Sequence, residues 1–482
     1  MKLYKGILNF YSNKYQSVCF LLPWNSSSIK RIFVLLMLVV TVGFKTNPTS
    51  ALSKTAPIKD WTVLIYMEGE NNLSPYALWD LYEMEAPFES EKNKAASSTK
   101  INVIAEINTR LDNQVRRMQV LEKKFTPETK YTRKQVDDFA TFNWNVSSSK
   151  IISSFEDSNH TQNSLSDFLQ WGVENYPAQN YWVIIWGHGL GWNQGFAYNE
   201  KTKTSISIKD LKASLNAIKL KTHNNINILS FDACFMQSIE MISELSEVTD
   251  FITGSNQTQS FLGLPYRRIF YEVNSGSFFG EKHKLGAKTS KSLEPLMISK
   301  MVPQLLEKSL NPFSGLQGRS DSTAQGWFTS SSIQTQEGLN VLVPALHKLA
   351  SILKSHFELY PDYKITFLTL LEKFTFFQNS NLDIGYLLEA IRQYAKLKNI
   401  REFDAQIKDV ADALKQSILQ SSFGEQNSVD SMTQMIFAIP SGISVWMPLN
   451  DDDFQDQFQN YKLTSFQKLT AWGLFIEELH KF

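Results

Sequence analysis

A histidine set between glycines and a cysteine 46 residues further on are the side chains best placed, by type and spacing, for covalent chemistry. In Trp186-Gly187-His188-Gly189-Leu190-Gly191-Trp192 the histidine follows an apolar run, Tyr181 to Trp186, that predicts a buried strand. Open parallel sheets bind ligands outside the carboxyl ends of their strands, so His188 stands on the reactive edge. The flanking glycines let backbone approach a ligand closely, and the Gly189 N–H offers a fixed donor to an oxyanion. His160, His223, His283, His347, His356 and His480 fall in polar loops or helices, where a solvated imidazole is the default. Taken alone, His188 reads equally well as a structural histidine. Cys234, in Phe231-Asp232-Ala233-Cys234-Phe235-Met236, follows the next predicted strand and falls at the first turn of a helix running to about Leu245. There the helix dipole would lower the thiol pKa and favour the nucleophilic thiolate. A buried free thiol between strand and helix is the plainer alternative. Pairing favours chemistry, because neighbouring strands ending in a histidine and a cysteine set a base beside a nucleophile. Asp232 shares the face of Cys234. Its carboxylate either lines a pocket that selects a cationic side chain or caps the following helix.

The elements that must position these residues form an α/β pattern. Five apolar runs predict strands: Trp61–Tyr66, Ile101–Ile107, Tyr181–Trp186, Ile226–Phe231 and Phe251–Gly254. Helical spacing fills Pro75–Met84, Ser164–Tyr176 and Ile208–Ile218, as right-handed crossovers of a parallel sheet require. The Ser- and Asn-rich stretch Asn145–Asn163 reads as a surface loop. Beyond about residue 285 the pattern becomes helical, over Ser292–Leu310, Leu339–Leu359, Ile384–Leu397 and Phe403–Leu419. One late strand, 442–447, ends at Pro448, and Ser314–Gly326 reads as a linker. The expected organisation is therefore a targeting segment over 1–51, an α/β domain over 52–285 and a helix-rich region over 286–482.

Composition excludes several function classes. Among 482 residues, 48 Lys and Arg balance 48 Asp and Glu, so no global field draws the chain to nucleic acid or an anionic membrane. A hydrophobic content of 43% with 15 Pro and 21 Gly excludes a disordered or collagenous chain. Lys30-Arg31 precede the apolar run Ile32–Phe44, too short for the roughly 20 residues of a membrane-spanning helix and fitting a signal segment. Small residues at Thr49 and Ala51 suit a cut before Leu52, which predicts an exported protein, periplasmic or extracellular, with no membrane in the mature form. A start downstream of Met1 or an uncleaved anchor are the alternatives. Cleavage removes Cys19 and leaves Cys234 as the lone thiol, which excludes an internal disulfide. Asp451-Asp452-Asp453 reads as a solvated turn, with a calcium ligand set as the lesser alternative.

Together, Trp61-Thr-Val-Leu-Ile-Tyr66-Met67 with Asn71-Asn72-Leu73, then Trp186-Gly-His188-Gly, then Asp232-Ala-Cys234-Phe-Met resemble the clostripain family of cysteine endopeptidases. This family belongs to the caspase-like clan, and the His-to-Cys interval is close to the ~50 residues of caspases. Gly263-Leu-Pro-Tyr266, Leu382-Asp383-Ile384-Gly385 and Ser441–Pro448 extend the likeness over about 60–475. The resemblance implies a caspase-like fold, a mostly parallel central sheet flanked by helices with a helix-rich C-terminal region. It also implies a His/Cys dyad hydrolysing peptide bonds after Arg or Lys. His188 would be the general acid/base, Cys234 the nucleophile, the Gly189 and Cys234 amides the oxyanion hole and Asp232 the floor of the S1 pocket. Many relatives carry an acidic Ser-Glu-Glu-like stretch where this chain has Ser255-Asn256-Gln257, so weaker Arg selectivity is expected. No cofactor is required; calcium enters by family resemblance only, with no ligand set matched. Partners are protein or peptide substrates. Lys201 and Lys203, in a polar stretch expected to be a flexible loop, are candidate self-cleavage sites. A catalytically inactive binding module and a transpeptidase using the same acyl-enzyme are the competing functions.

Overall fold

In a computed structural model the described residues are 58–87, 94–123, 147–156, 162–260, 262–276, 294–310, 328–374, 380–424 and 440–481. The leader, its cut site and the Ser314–Gly326 linker lie outside them.

Five parallel strands form the centre of the sheet: β1 (Lys59–Gly69), β2 (Ile101–Thr109), β5 (Ala178–Trp186), β8 (Ile226–Asp232) and β9 (Thr249–Gly254). They form because their apolar runs can bury both faces at once. In β1, Leu64 and Tyr66 pack on one face while Val63, Ile65 and Met67 pack on the other. The first face is covered by α2 (Gln162–Asn175), α3 (Ile208–Thr222) and α4 (Ile239–Leu245), the second by α1 (Ser74–Glu85), α5 (Tyr266–Ser275) and α6 (Pro295–Leu310). All five centre strands coincide with the apolar runs of the sequence.

The flanks are antiparallel. β3 (Gln114–Gln119) and β4 (Lys150–Glu156) extend the sheet beyond β2, and β10 (Phe328–Gln334) and β12 (Ile418–Gly424) extend it beyond β9, giving the order β12-β10-β9-β8-β5-β1-β2-β3-β4. None of the four was expected. β4 runs through the stretch read as a surface loop, and all its residues are exposed, so it lacks the buried apolar run that marks a strand. Residues beyond 285 thus contribute two strands to the same sheet, besides a small ladder of β11 (Asn381–Asp383) with β13 (Ser444–Trp446). The helices α7 (Val343–Leu359), α8 (Lys364–Glu372), α9 (Ile384–Lys398), α10 (Asp404–Ser417), α11 (Asp451–Tyr461) and α12 (Trp472–Leu479) complete the C-terminal part. Asp451, Asp452 and Asp453 are not a free turn but the first turn of α11, capped by Asn450, where acidic side chains suit the helix dipole.

The C-terminal ladder braces the segment after β8. Ser444 N–H donates to the Gln237 carbonyl at 3.0 Å. Trp446 N–H and the Tyr461 hydroxyl both donate to the fully buried Glu240, at 2.9 and 3.1 Å. Among the described residues, no helix is long and apolar enough to cross a membrane.

Candidate active site

Strand register brings the two expected reactive residues together. β5 and β8 are adjacent, Trp186 pairs with Asp232, and each chain leaves the sheet there, so His188 and Cys234 each stand two residues beyond the paired ends. Gly189 lies against the cysteine: a Cβ at this position would stand 2.9 Å from the Cys234 nitrogen. Only glycine fits such an approach. The ladder bonds beside Gly189 run from Leu190 N–H to Gly195 O and from Ala197 N–H to His188 O. Among the described residues neither the Gly189 N–H nor the Cys234 N–H donates to another residue's backbone, while the Cys234 N–H reaches its own thiol.

Cys234 is not in a helix. Phe235 adopts a left-handed conformation with φ of 60°, and the Phe235 and Gln237 N–H groups donate to Gln257 O and Ser255 O. α4 starts only at Ile239, where the Ser238 side chain accepts from the Met241 N–H. The helix dipole therefore gives the thiol no help. Burial pushes its pKa up; the Gln259 N–H, donating to Sγ at 3.2 Å, opposes this, and the Asp232 charge adds to it. The imidazole moves the other way, its pKa lowered by burial against the opposing pull of Glu200. Both shifts favour a neutral thiol facing a neutral imidazole.

Asn72, quoted in the sequence motif without a role, holds that imidazole. His188 Nε2 lies 2.6 Å from Asn72 Oδ1. A carbonyl oxygen only accepts, so Nε2 carries the proton and Nδ1 keeps its lone pair. Asn72→Asp should put a carboxylate at this nitrogen, stabilise the imidazolium and move the acidic limb of the kcat/KM profile to higher pH, by about one unit. A pH–rate profile checks this; an unshifted limb would mean Asn72 does not touch the titrating group.

Asp232 does not cap α4, because the helix begins too far along the chain. Its Oδ2 accepts from the Leu264 N–H at 2.8 Å and from the Tyr266 hydroxyl at 2.9 Å, and its Oδ1 accepts from Gln259 Nε2 at 3.3 Å. Burial, followed by the Asp232 charge, raises the Tyr266 pKa well above its ordinary value, so the phenol stays a donor. Sequence reasoning missed a second carboxylate: Asp80, from α1, accepts from the Trp186 indole at 2.7 Å. Gly263, with φ of +61°, passes between the pair, and a Cβ there would lie 2.5 Å from Asp80 and 2.6 Å from Asp232. Asn256 is buried and donates to Asp383 at 2.7 Å, so an acidic residue there would face a carboxylate.

A profile of the clostripain family, peptidase C11, matches residues 65–478. The chain belongs to the clostripain family. It is thus a cysteine-type peptidase, and its substrates are peptides or proteins. Two solved structures share the clostripain-family fold. A secreted C11 cysteine protease from Bacteroides thetaiotaomicron, in complex with an irreversible peptide inhibitor, has a TM-score of 0.55 at 16% identity, covering 86% of this chain and 99% of its own. An inactive zymogen C11 protease from Parabacteroides distasonis has a TM-score of 0.53 at 15% identity, covering 86% of this chain and 99% of its own. No individually curated protein sequence matches significantly.

Two expectations drawn from the clostripain-family likeness meet different surroundings. Lys201 and Lys203 are exposed, as expected, but they lie in the turn of a hairpin between β6 (Phe196–Asn199) and β7 (Thr204–Ile206) and not in an irregular loop. Asn199 Oδ1 accepts from the N–H groups of Lys201 and Thr202, at 3.0 and 2.9 Å, and closes the turn. Calcium finds no cluster of three or more His, Cys, Asp or Glu among the described residues, so no ligand set is assigned.

Proposed function

We propose that this peptidase is exported and cleaves after Arg or Lys with Cys234 as nucleophile and His188 as general acid/base. The observation that carries the reading is the register that seats both residues two positions past paired strand ends, with the Gly189 backbone against Cys234. His188 Nδ1 takes the thiol proton as Sγ attacks the scissile carbonyl carbon. The oxyanion accepts from the Gly189 and Cys234 N–H groups. On collapse the C–N bond breaks, and the imidazolium gives its proton to the leaving amine. Water then attacks the thioester, yielding its proton to His188, and the acid departs with the thiol restored. Asp232 supplies the charge that holds a basic P1 side chain. The apolar run Ile32–Phe44 and the secreted relative support export, with a cut before Leu52. A peptide-library cleavage profile of wild type beside Cys234→Ala tests the reading: basic P1 in wild type and no cleavage in the variant are expected, and a P1 profile without Arg or Lys would overturn it.

The hairpin turn is the proposed point of self-processing, after Lys201 or Lys203. It is tied to the site: Ala197 N–H donates to His188 O, the Asn71 amide to Tyr198 O at 2.9 Å, and Asn72 N–H to Glu200 at 3.3 Å. A nick would therefore loosen the frame around His188. The fragments should stay together through β5 and β8, which lie on either side of the hairpin in the chain. Mass spectrometry should find wild type nicked and Cys234→Ala intact; nicking in both would point to another protease, and nicking in neither would reject self-processing.

A further inference from the structure

Gln259 reaches both halves of the proposed site at once. Its backbone N–H donates to the Cys234 thiol at 3.2 Å, and its side-chain Nε2 donates to Asp232 Oδ1 at 3.3 Å. The other end of the same carboxamide, Oε1, is buried without a hydrogen-bond partner among the described residues. At 3.3 Å the bond from this uncharged amide to the carboxylate is longer than the usual range, and a buried oxygen left without a donor costs stability. The side chain therefore lies in a place it satisfies only in part. That place lies against Asp232, whose charge acts on the thiol.

We propose that the Gln259 carboxamide is the resident occupant of the S1 subsite, its NH2 group standing where the cation of a P1 Arg or Lys would stand, and that substrate enters by displacing it. This rests on the reading of Asp232 as the P1 partner. A guanidinium or ammonium makes the stronger, charge-assisted bond to Asp232, and the displaced carboxamide regains water at both ends. An uncharged P1 side chain offers the carboxylate nothing in exchange for the amide it would remove. The occupant therefore weakens binding of every P1 side chain by the same factor, while the charge-assisted bond to Asp232 sets the preference for basic ones.

A site open for one-tenth of the time binds about tenfold more weakly than an open one. Benzamidine, a small arylamidinium cation, is the probe, titrated calorimetrically into the Cys234→Ala protein. Adding Gln259→Ala, or Gln259→Met as a variant of similar length without the donor, should tighten benzamidine binding by about tenfold. In enzyme with Cys234 intact, the same changes should lower KM for Arg and Lys peptides and leave the ratio between basic and Leu or Gln P1 substrates unchanged. Unchanged or weaker benzamidine binding in both variants would overturn the inference, since a merely supporting glutamine gives no gain on removal. Asp232→Asn separates the two layers of the argument. If it leaves benzamidine binding intact, the P1 assignment fails. If it abolishes binding while the Gln259 variants show no gain, only the resident-occupant inference fails.

Discussion

Cys234→Ala should lower kcat by about 10⁴-fold or more, His188→Ala should approach the same loss, and the double variant should fall little further, because members of one catalytic unit act non-additively. Steady-state hydrolysis of one Arg-P1 peptide by the three proteins is the measurement; substantial turnover by Cys234→Ala would remove the thiol from the reaction. The physical reason for so large a dependence on the imidazole lies in the shifts of the pair. An ordinary thiol is ionised to only a few per cent at neutral pH, and burial lowers that fraction further here. Without a base beside it, Cys234 would attack from a scarce thiolate. The same shifts set the pH course of alkylation by iodoacetamide. A pre-formed thiolate–imidazolium pair gives a plateau reaching into acid, whereas a raised thiol beside a lowered imidazole gives a rate that is still climbing as pH passes the ordinary thiol range.

Asp232→Asn should act in opposite directions on two measurements. Loss of the charged partner should cut kcat/KM for Arg and Lys peptides by about 10²-fold. The Asp232 charge also holds the thiol in its protonated form, so removing it should lower the Cys234 pKa, increase the thiolate fraction at neutral pH and speed reaction with neutral iodoacetamide. An enzyme that becomes a poorer peptidase yet a more reactive thiol is hard to explain by damage to the fold. If instead Tm fell and the P1 profile stayed as before, Asp232 would be no more than an anchor for Leu264 and Tyr266.

What the sequence disclosed follows from what each residue must satisfy locally. The central strands were legible because β1, β2, β5 and β8 are buried on both faces and must be written as apolar runs. The outer strands were not: Gln114-Val-Arg-Arg-Met-Gln119 and Phe328-Thr-Ser-Ser-Ser-Ile-Gln334 are polar, and their place comes from pairing with a distant strand. The convergence of His188, Cys234 and Asp232 on one edge was legible because each is anchored to a strand end. Asn72 and Gln259 were not, since each reaches the site from a loop whose course local pattern does not fix. The helix after Cys234 was misjudged because its start is signalled by Ser238 accepting from Met241, four residues beyond the thiol.

The brace between Gln237 and Ser444 sets a clock on the protein's own synthesis. Those residues are 207 apart in the chain. At about 5–20 residues per second, the segment carrying Cys234 waits about 10–40 s between leaving the peptidyl-transferase centre and the synthesis of Ser444. Closing so long a loop is also slow once the strand is available. For that interval the nascent chain holds the thiol without the β13 contacts that hold Gln237 and Glu240, while β1, β2, β5 and β8 are already complete. The loop that carries Cys234 therefore reaches its full set of contacts only after β13 has been made.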